Sequence, residues 1–189
     1  MRFRALASGD QVLSSVATRN GSTVRVAGEV MDNSGKTNGR ITVTATFLNG
    51  TTTVATLKAT AFANRISEGG VTPFVLSGIV PTYTTLRLTA TAASPVSGPT
   101  LAFTALAYSA GPGGTTLEKG TVKNTGSKTA RSVTVARTWY GARGEVIGVG
   151  YGTVSPSTLA PGKSGTFTIT RPAGLTTLQA TGSQWRGVL

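Results

Sequence analysis

Apolar and polar residues alternate most cleanly over 41–48, where Ile41, Val43, Ala45 and Phe47 fall on one side of an extended chain and Thr42, Thr44 and Thr46 on the other. Side chains of a strand point to its two faces in turn, so this stretch predicts a half-buried β-strand. Similar runs predict strands over 11–18, 22–30, 51–62, 71–79 and 84–93. In 22–30 the face is marked by Val24 and Val26 and continued by Glu29 or Val30; in 84–93 Leu86 and Leu88 alternate with Arg87 and Thr89. Asn20-Gly21 and Asn49-Gly50 predict hairpin turns, because both residue types tolerate positive φ. A strand over 101–109, turned by Gly111-Pro112-Gly113-Gly114, begins a second series, and a last Thr/Phe strand follows Leu159-Ala160-Pro161-Gly162.

The second series repeats the first. A shift of 92 residues lays Gly28 on Gly120, Val30 on Val122, Ile41 on Val133, Val43 on Val135, Phe47 on Trp139, Val54 on Val146 and Leu86 on Leu178. With one gap, Gly69 meets Gly162 and Phe74 meets Phe167. The expected organisation is an internal duplication with an N-terminal arm at 1–10, one sandwich at 11–92, a Pro- and Ser-containing linker at 93–99 and a second sandwich at 100–189. About seven short strands per copy with regular turn signals is the pattern of an immunoglobulin-like β-sandwich. The fold class is therefore all-β, two tandem immunoglobulin-like sandwiches, with Val133, Val135, Trp139 and Phe167 in the second core and Leu159 plugging it.

The second copy also carries a family likeness. Gly120 to Gly126, a strand ending in Trp139-Tyr140, the run Gly144-Glu145-Val146-Ile147, and Leu159-Ala160-Pro161-Gly162 before Phe167 together resemble the bacterial FxLYD domain. The Asn-Thr-Gly and Leu-Ala-Pro-Gly features are similar to CARDB, a cell-adhesion-related bacterial domain. The likeness covers about 116–183 and, more weakly, 24–92. The naming motif departs from the pattern, with Arg137, Trp139, Tyr140 and Gly141 in its place in the second copy and Ala45, Phe47, Leu48 and Asn49 in the first. The resemblance implies immunoglobulin-like sandwiches of exported or surface proteins and no catalysis.

Composition narrows the chemistry. Among 189 residues there is no Cys and no His, so disulfides, thiolate sites and the commonest general base and metal ligand are absent. The six carboxylates stand apart in sequence, which points to neither a metal cage nor an acid–base pair, and no cofactor or small-molecule substrate is expected. Ser127-Lys128 and Lys163-Ser164 lie in turns, unlike the buried lysine of a Ser–Lys dyad. Asn20 and Asn49 fit the glycosylation acceptor pattern, but the hairpin accounts for both.

Charge is one-sided: 18 Lys and Arg face 6 Asp and Glu, so perfect pairing still leaves twelve cations over. They serve either a polyanionic partner or solubility, and no run of five or more basic residues decides between these. Arg137 shares face parity with Val133, Val135 and Trp139, and an unpaired buried guanidinium is too costly. Two readings stay open: a bulge or the sandwich end lets it reach water, or it sits at a domain or subunit contact paired with Glu118 or Glu145. Candidate partner-binding residues are Arg2 and Arg4 in the arm, Arg137 and Arg143 beside Trp139-Tyr140, and Trp185 and Arg186 beyond the last strand.

The expected role is a non-catalytic structural or adhesive protein of a bacterial cell surface or extracellular assembly. It would act by self-association or by binding envelope or particle proteins through sheet edges, terminal arms and a basic surface. The alternatives are a virion structural or decoration protein of a phage capsid or tail, and a polyanion-binding module. No stretch has the apolar length of a membrane span, and 1–10 lacks the apolar segment of a signal peptide. An extracellular or surface location thus expects a leader removed upstream, and a virion expects release by lysis.

Overall fold

Wherever Val, Ile, Leu or Phe alternates with Thr, the backbone is extended. The computed structural model describes residues 9–95, 97–175 and 185–188. The first half supplies β1 (Gln11–Asn20), β2 (Thr23–Met31), β3 (Ile41–Asn49), β4 (Thr52–Thr60), β5 (Val71–Ile79) and β6 (Thr85–Ala92). The second supplies β7 (Leu101–Ala110), β8 (Thr116–Asn124), β9 (Thr134–Tyr140), β10 (Val146–Thr153), β11 (Ser164–Arg171) and β12 (Trp185–Val188). A single 3-10 turn, Pro112–Gly114, joins β7 to β8, with Gly113 and Gly114 at positive φ as that glycine-rich run predicts.

The chain is all-β, and its sheets pair into sandwiches. Strands β1-β2-β5 form one sheet and β4-β3-β6 the other; the second half has the same order in β7-β8-β11 and β10-β9-β12. First, second and fifth strands against third, fourth and sixth is the immunoglobulin-like arrangement. Each half has six described strands rather than the expected seven. β12 pairs with β9 as β6 pairs with β3, placing Trp185 opposite Arg137 where Leu88 lies opposite Ala45. Trp185 and Arg186 therefore belong to the last strand instead of lying beyond it, while Leu178, matched to Leu86 by the sequence shift, is outside the described residues.

The turns work differently from the expectation. Asn20 pairs with Thr23 and Asn49 with Thr52, so the two-residue loops are Gly21-Ser22 and Gly50-Thr51, and only the glycines take positive φ. The asparagines are ladder residues, and glycine at the first loop position suits the twist of the flanking strands. In Asn124-Thr125-Gly126 the glycine is not required for φ. A Cβ there would stand 2.6 Å from the Thr100 nitrogen, so Gly126 is a close-approach residue.

Two cores fill the sandwiches. Val24, Val26, Val30, Ile41, Val43, Phe47, Phe74 and Leu76 interdigitate in the first. Val122, Val133, Val135, Trp139, Leu159, Phe167 and Ile169 do so in the second, including all four side chains anticipated from parity and the Leu159 plug. Removing each aliphatic or aromatic side chain from water is worth roughly 1.5–3 kcal/mol.

A third apolar cluster lies between the halves: Ala27, Val146 and Val149, with Val16, Phe62, Val75 and Tyr140 against them. Here the outer face of the β1-β2-β5 sheet meets the outer face of β9 and β10. Consequently β2 and β9 are buried on both faces through their middles, and four sheets stack in layers. Polar bonds fix the junction. The Tyr140 hydroxyl donates to Glu29 Oε1 at 2.6 Å, the Val146 amide donates to Ser14 Oγ at 3.0 Å, and the Arg25 guanidinium donates to the Val149 carbonyl.

Candidate functional site

Arg137 sits midway along β9 with its side chain turned into the second core, 4% exposed. Its Nε lies 2.7 Å from Glu118 Oε2, on the facing sheet, and Trp139 Nε1 donates to Glu118 Oε1 at 3.0 Å. A further guanidinium nitrogen donates to the Tyr108 hydroxyl at 3.3 Å. Of the two readings, the carboxylate pairing with Glu118 is present, but inside one sandwich instead of at a domain or subunit contact. No bulge interrupts β9 at Arg137; the register shift between β9 and β10 falls between Val146 and Gly148. The corresponding positions of the first half are Val26, Ala45 and Phe47, all apolar. Three exchanges thus go together: the indole N–H and the guanidinium both need an acceptor, and Glu118 is that acceptor. The triad ties the two sheets of the second sandwich together across its core.

The surface offers a different constellation. At one end of the junction a cleft of about 410 Å³ is lined by Arg40, Asn64 and Arg65 from the first half, Ser97 and its neighbours from the connector, and Arg131 from the second. All three arginines are exposed and no carboxylate lines the cleft. Local pairing explains how each arrives there. The Asn38–Ile66 bridge brings the segment before β3 beside the loop after β4, and Arg40 Nε donates to Asn64 Oδ1 at 2.7 Å. The Ala130–Leu159 bridge holds Arg131 at the matching end of the second half. Lys128 Nζ donates to Ser97 Oγ at 2.6 Å, adding a fourth cation on the connector.

Burial sharpens the imbalance. Glu29, Asp32 and Glu118 are buried, so half of the six carboxylates contribute nothing to the solvent-facing charge, whereas the cleft arginines all do. The size suits one charged repeat unit of a polymer, such as a phosphate ester or a uronate sugar. Three guanidinium forks in one concavity match the planar or tetrahedral oxygens of such groups. No group of three or more metal-binding side chains gathers among the described residues. No helix among them is long and apolar enough to cross a membrane.

Of the candidates picked from sequence, Arg137 and Arg143 do not line this cleft. Arg2 and Arg4 lie outside the described residues. Arg137 is buried, Arg143 is in the exposed β9–β10 turn with its amide donating to Glu145 Oε2 at 2.9 Å, and Trp185 and Arg186 are strand residues of β12. Arg40, Arg65 and Arg131 carried no sequence signal because each stands alone: the Asn38–Ile66 bridge brings the first two together, and the second half adds Arg131.

No family model matches the chain, and no curated protein matches it. Among solved structures it is similar to the exo-chitosanase CsxA of Amycolatopsis orientalis, with 15% identity and a TM-score of 0.32, over 92% of this chain and 26% of that one. It is likewise similar to the exo-beta-D-glucosaminidase CsxA in a study of its inhibition by a castanospermine, with 16% identity and a TM-score of 0.31, over 92% and 25% of the two chains. The chain thus spans about a quarter of the proteins it matches.

Proposed function

We propose that this chain is a non-catalytic structural or adhesive component of a bacterial surface or extracellular assembly that holds an anionic polymer in the arginine cleft. One observation carries the reading: Arg40, Arg65 and Arg131 converge from both halves on a cavity without a carboxylate. A net charge of +12 draws polyanions to the molecule, and the cleft gives their charged groups a fixed place. The FxLYD-like pattern of the second half fits an exported module of this kind.

Fluorescently labelled polyphosphate, followed by anisotropy over a salt series, tests the proposal. The parent binds at low salt with affinity falling steeply as salt rises. In the combined Arg40→Gln, Arg65→Gln, Arg131→Gln variant the log–log slope becomes shallower by about 2–3, since each phosphate contact contributes roughly 0.7–0.9. Equal affinity and equal slope in the variant would remove the cleft from the account.

Self-association is a second mode with its own support. The large exposed apolar residues Leu13, Ile79, Tyr108 and Tyr151 all lie on outer strands of their sheets, β1, β5, β7 and β10, and Ile79 is 75% exposed. Exposed apolar edges template strand addition. Sedimentation at rising concentration, with Ile79→Lys and Tyr151→Lys as variants, reads this mode; imaging of native material separates a surface assembly from a virion.

A further inference from the structure

The two halves hold corresponding buried residues of different chemistry, Asp32 after β2 and Asn124 at the end of β8. Their backbones are tied alike. The Asp32 amide donates to the Gly70 carbonyl and its carbonyl accepts from Gly69, while the Asn124 amide donates to Lys163 and its carbonyl accepts from Gly162. Their side chains are oriented alike: Asp32 Oδ1 accepts the Ser34 amide at 3.0 Å, and Asn124 Oδ1 accepts the Gly126 amide at 3.1 Å. The remaining atoms, Asp32 Oδ2 and Asn124 Nδ2, therefore occupy matching places.

In the second half that place is a donor's. Asn124 Nδ2 donates to the carbonyls of Lys128 and Leu159, both at 2.8 Å. The first-half counterpart of Leu159 is Ile66, since the Asn38–Ile66 and Ala130–Leu159 bridges correspond. Asp32 Oδ1 also accepts from Asn38 Nδ2 at 3.0 Å, so the neighbouring donors serve Oδ1 and leave Oδ2 without one. Asp32 is 0% exposed, and its Oδ2 is buried without a hydrogen-bond partner. Asp10 adds a second such atom: its Oδ1 is also buried without a partner, and the Gly9 amide, bonded to the Asn33 carbonyl at 2.9 Å, anchors it beside Asp32. Burial pushes the Asp10 carboxyl up, opposed by a hydrogen bond from the Ala92 backbone and reinforced by the charge of Asp32. Two covered carboxylate oxygens thus lack the donor or positive charge that burial demands.

We propose that Asp10 Oδ1 and Asp32 Oδ2 bind a hard divalent cation, calcium by preference, between the start of β1 and the segment that follows β2. The donors are all oxygens, and a pair of carboxylates balances a 2+ charge. Calcium fits better than magnesium because it accepts irregular oxygen shells, whereas magnesium keeps its own waters in a strict octahedron. The second half has an amide at this place and binds none, so the stoichiometry is one per chain.

Isothermal titration of calcium chloride into the full chain, stripped with a chelator, tests this. The expected result is one site with a Kd at or below about 1 mM, in the range of extracellular calcium modules. A rise in Tm of about 3–6 °C accompanies it at 10 mM calcium. Asp32→Asn supplies the amide that the second half already uses; it folds, keeps its Tm in chelator and loses the calcium response. Asp10→Asn weakens binding at least tenfold. Absence of a saturable response to calcium would overturn the proposal. A response that survives Asp32→Asn would overturn it equally, by placing the ion elsewhere.

Discussion

Replacing Arg137 with methionine keeps most of the side-chain volume of the second core and removes its cation. Glu118 would then keep only the Trp139 indole donor, at 3.0 Å, having lost the guanidinium 2.7 Å from its other oxygen. With both residues at most 4% exposed, water cannot take over. Stripping one partner from a buried ion pair costs about 3–5 kcal/mol, which for a chain of this size lowers Tm by about 6–20 °C. The first half suggests the rescue, since Val26 and Ala45 fill the corresponding places without any charge. Combining Arg137→Met with Glu118→Leu removes the unpaired charge and leaves the Trp139 indole N–H as the unmet group, so the double variant should lie about 1–3 kcal/mol below the parent and well above the sum of the singles. Urea unfolding followed by tryptophan fluorescence reads this well, because Trp139 is in the second core and the first half has no tryptophan. If Arg137→Met alone costs under about 1 kcal/mol, or the double variant is the sum of the singles, the triad does not hold the core as described.

Three further outcomes follow from other contacts. Tyr140→Phe leaves the buried Glu29 carboxylate without its 2.6 Å donor across the junction, so urea unfolding should show a loss of about 1–3 kcal/mol, with no loss in Tyr151→Phe as a surface control. Gly28→Ala places a Cβ 2.5 Å from the Ser14 carbonyl oxygen and 2.7 Å from the Phe74 ring, and thermal unfolding should fall by an overpacking cost of about 1–3 kcal/mol. Asp10 holds its proton more tightly folded than unfolded, chiefly through burial, with Asp32 the charged group facing it. In chelator its contribution to stability is therefore full below the unfolded value of 3.8 and is lost as pH rises through the higher folded value, and Asp10→Asn flattens that part of the pH–stability curve.

Strand period and turn chemistry are local properties, and they were legible. The alternation of Ile41, Val43, Ala45 and Phe47, the glycine hairpins and the Leu159 plug determined an all-β chain of two sandwich-like series before any coordinates, because a face that must be buried repeats every second residue. The same parity placed Arg137 inward and named Glu118 among its possible partners. It could not decide where that pair would lie, since β8 and β9 belong to different sheets. Outward positions such as Ala27, Ala136 and Tyr140 read as solvent-facing because a single sandwich has only one buried face per sheet. The docking of β1-β2-β5 on β9 and β10 gave these strands a second buried face. Pairing within the first half set Arg40 by Arg65 and the second half added Arg131 to their cleft, and the return of the chain beside Asn33 set Asp10 next to Asp32. Charges 22 to 91 positions apart in the chain acquire a common site only through such packing, which no local period encodes.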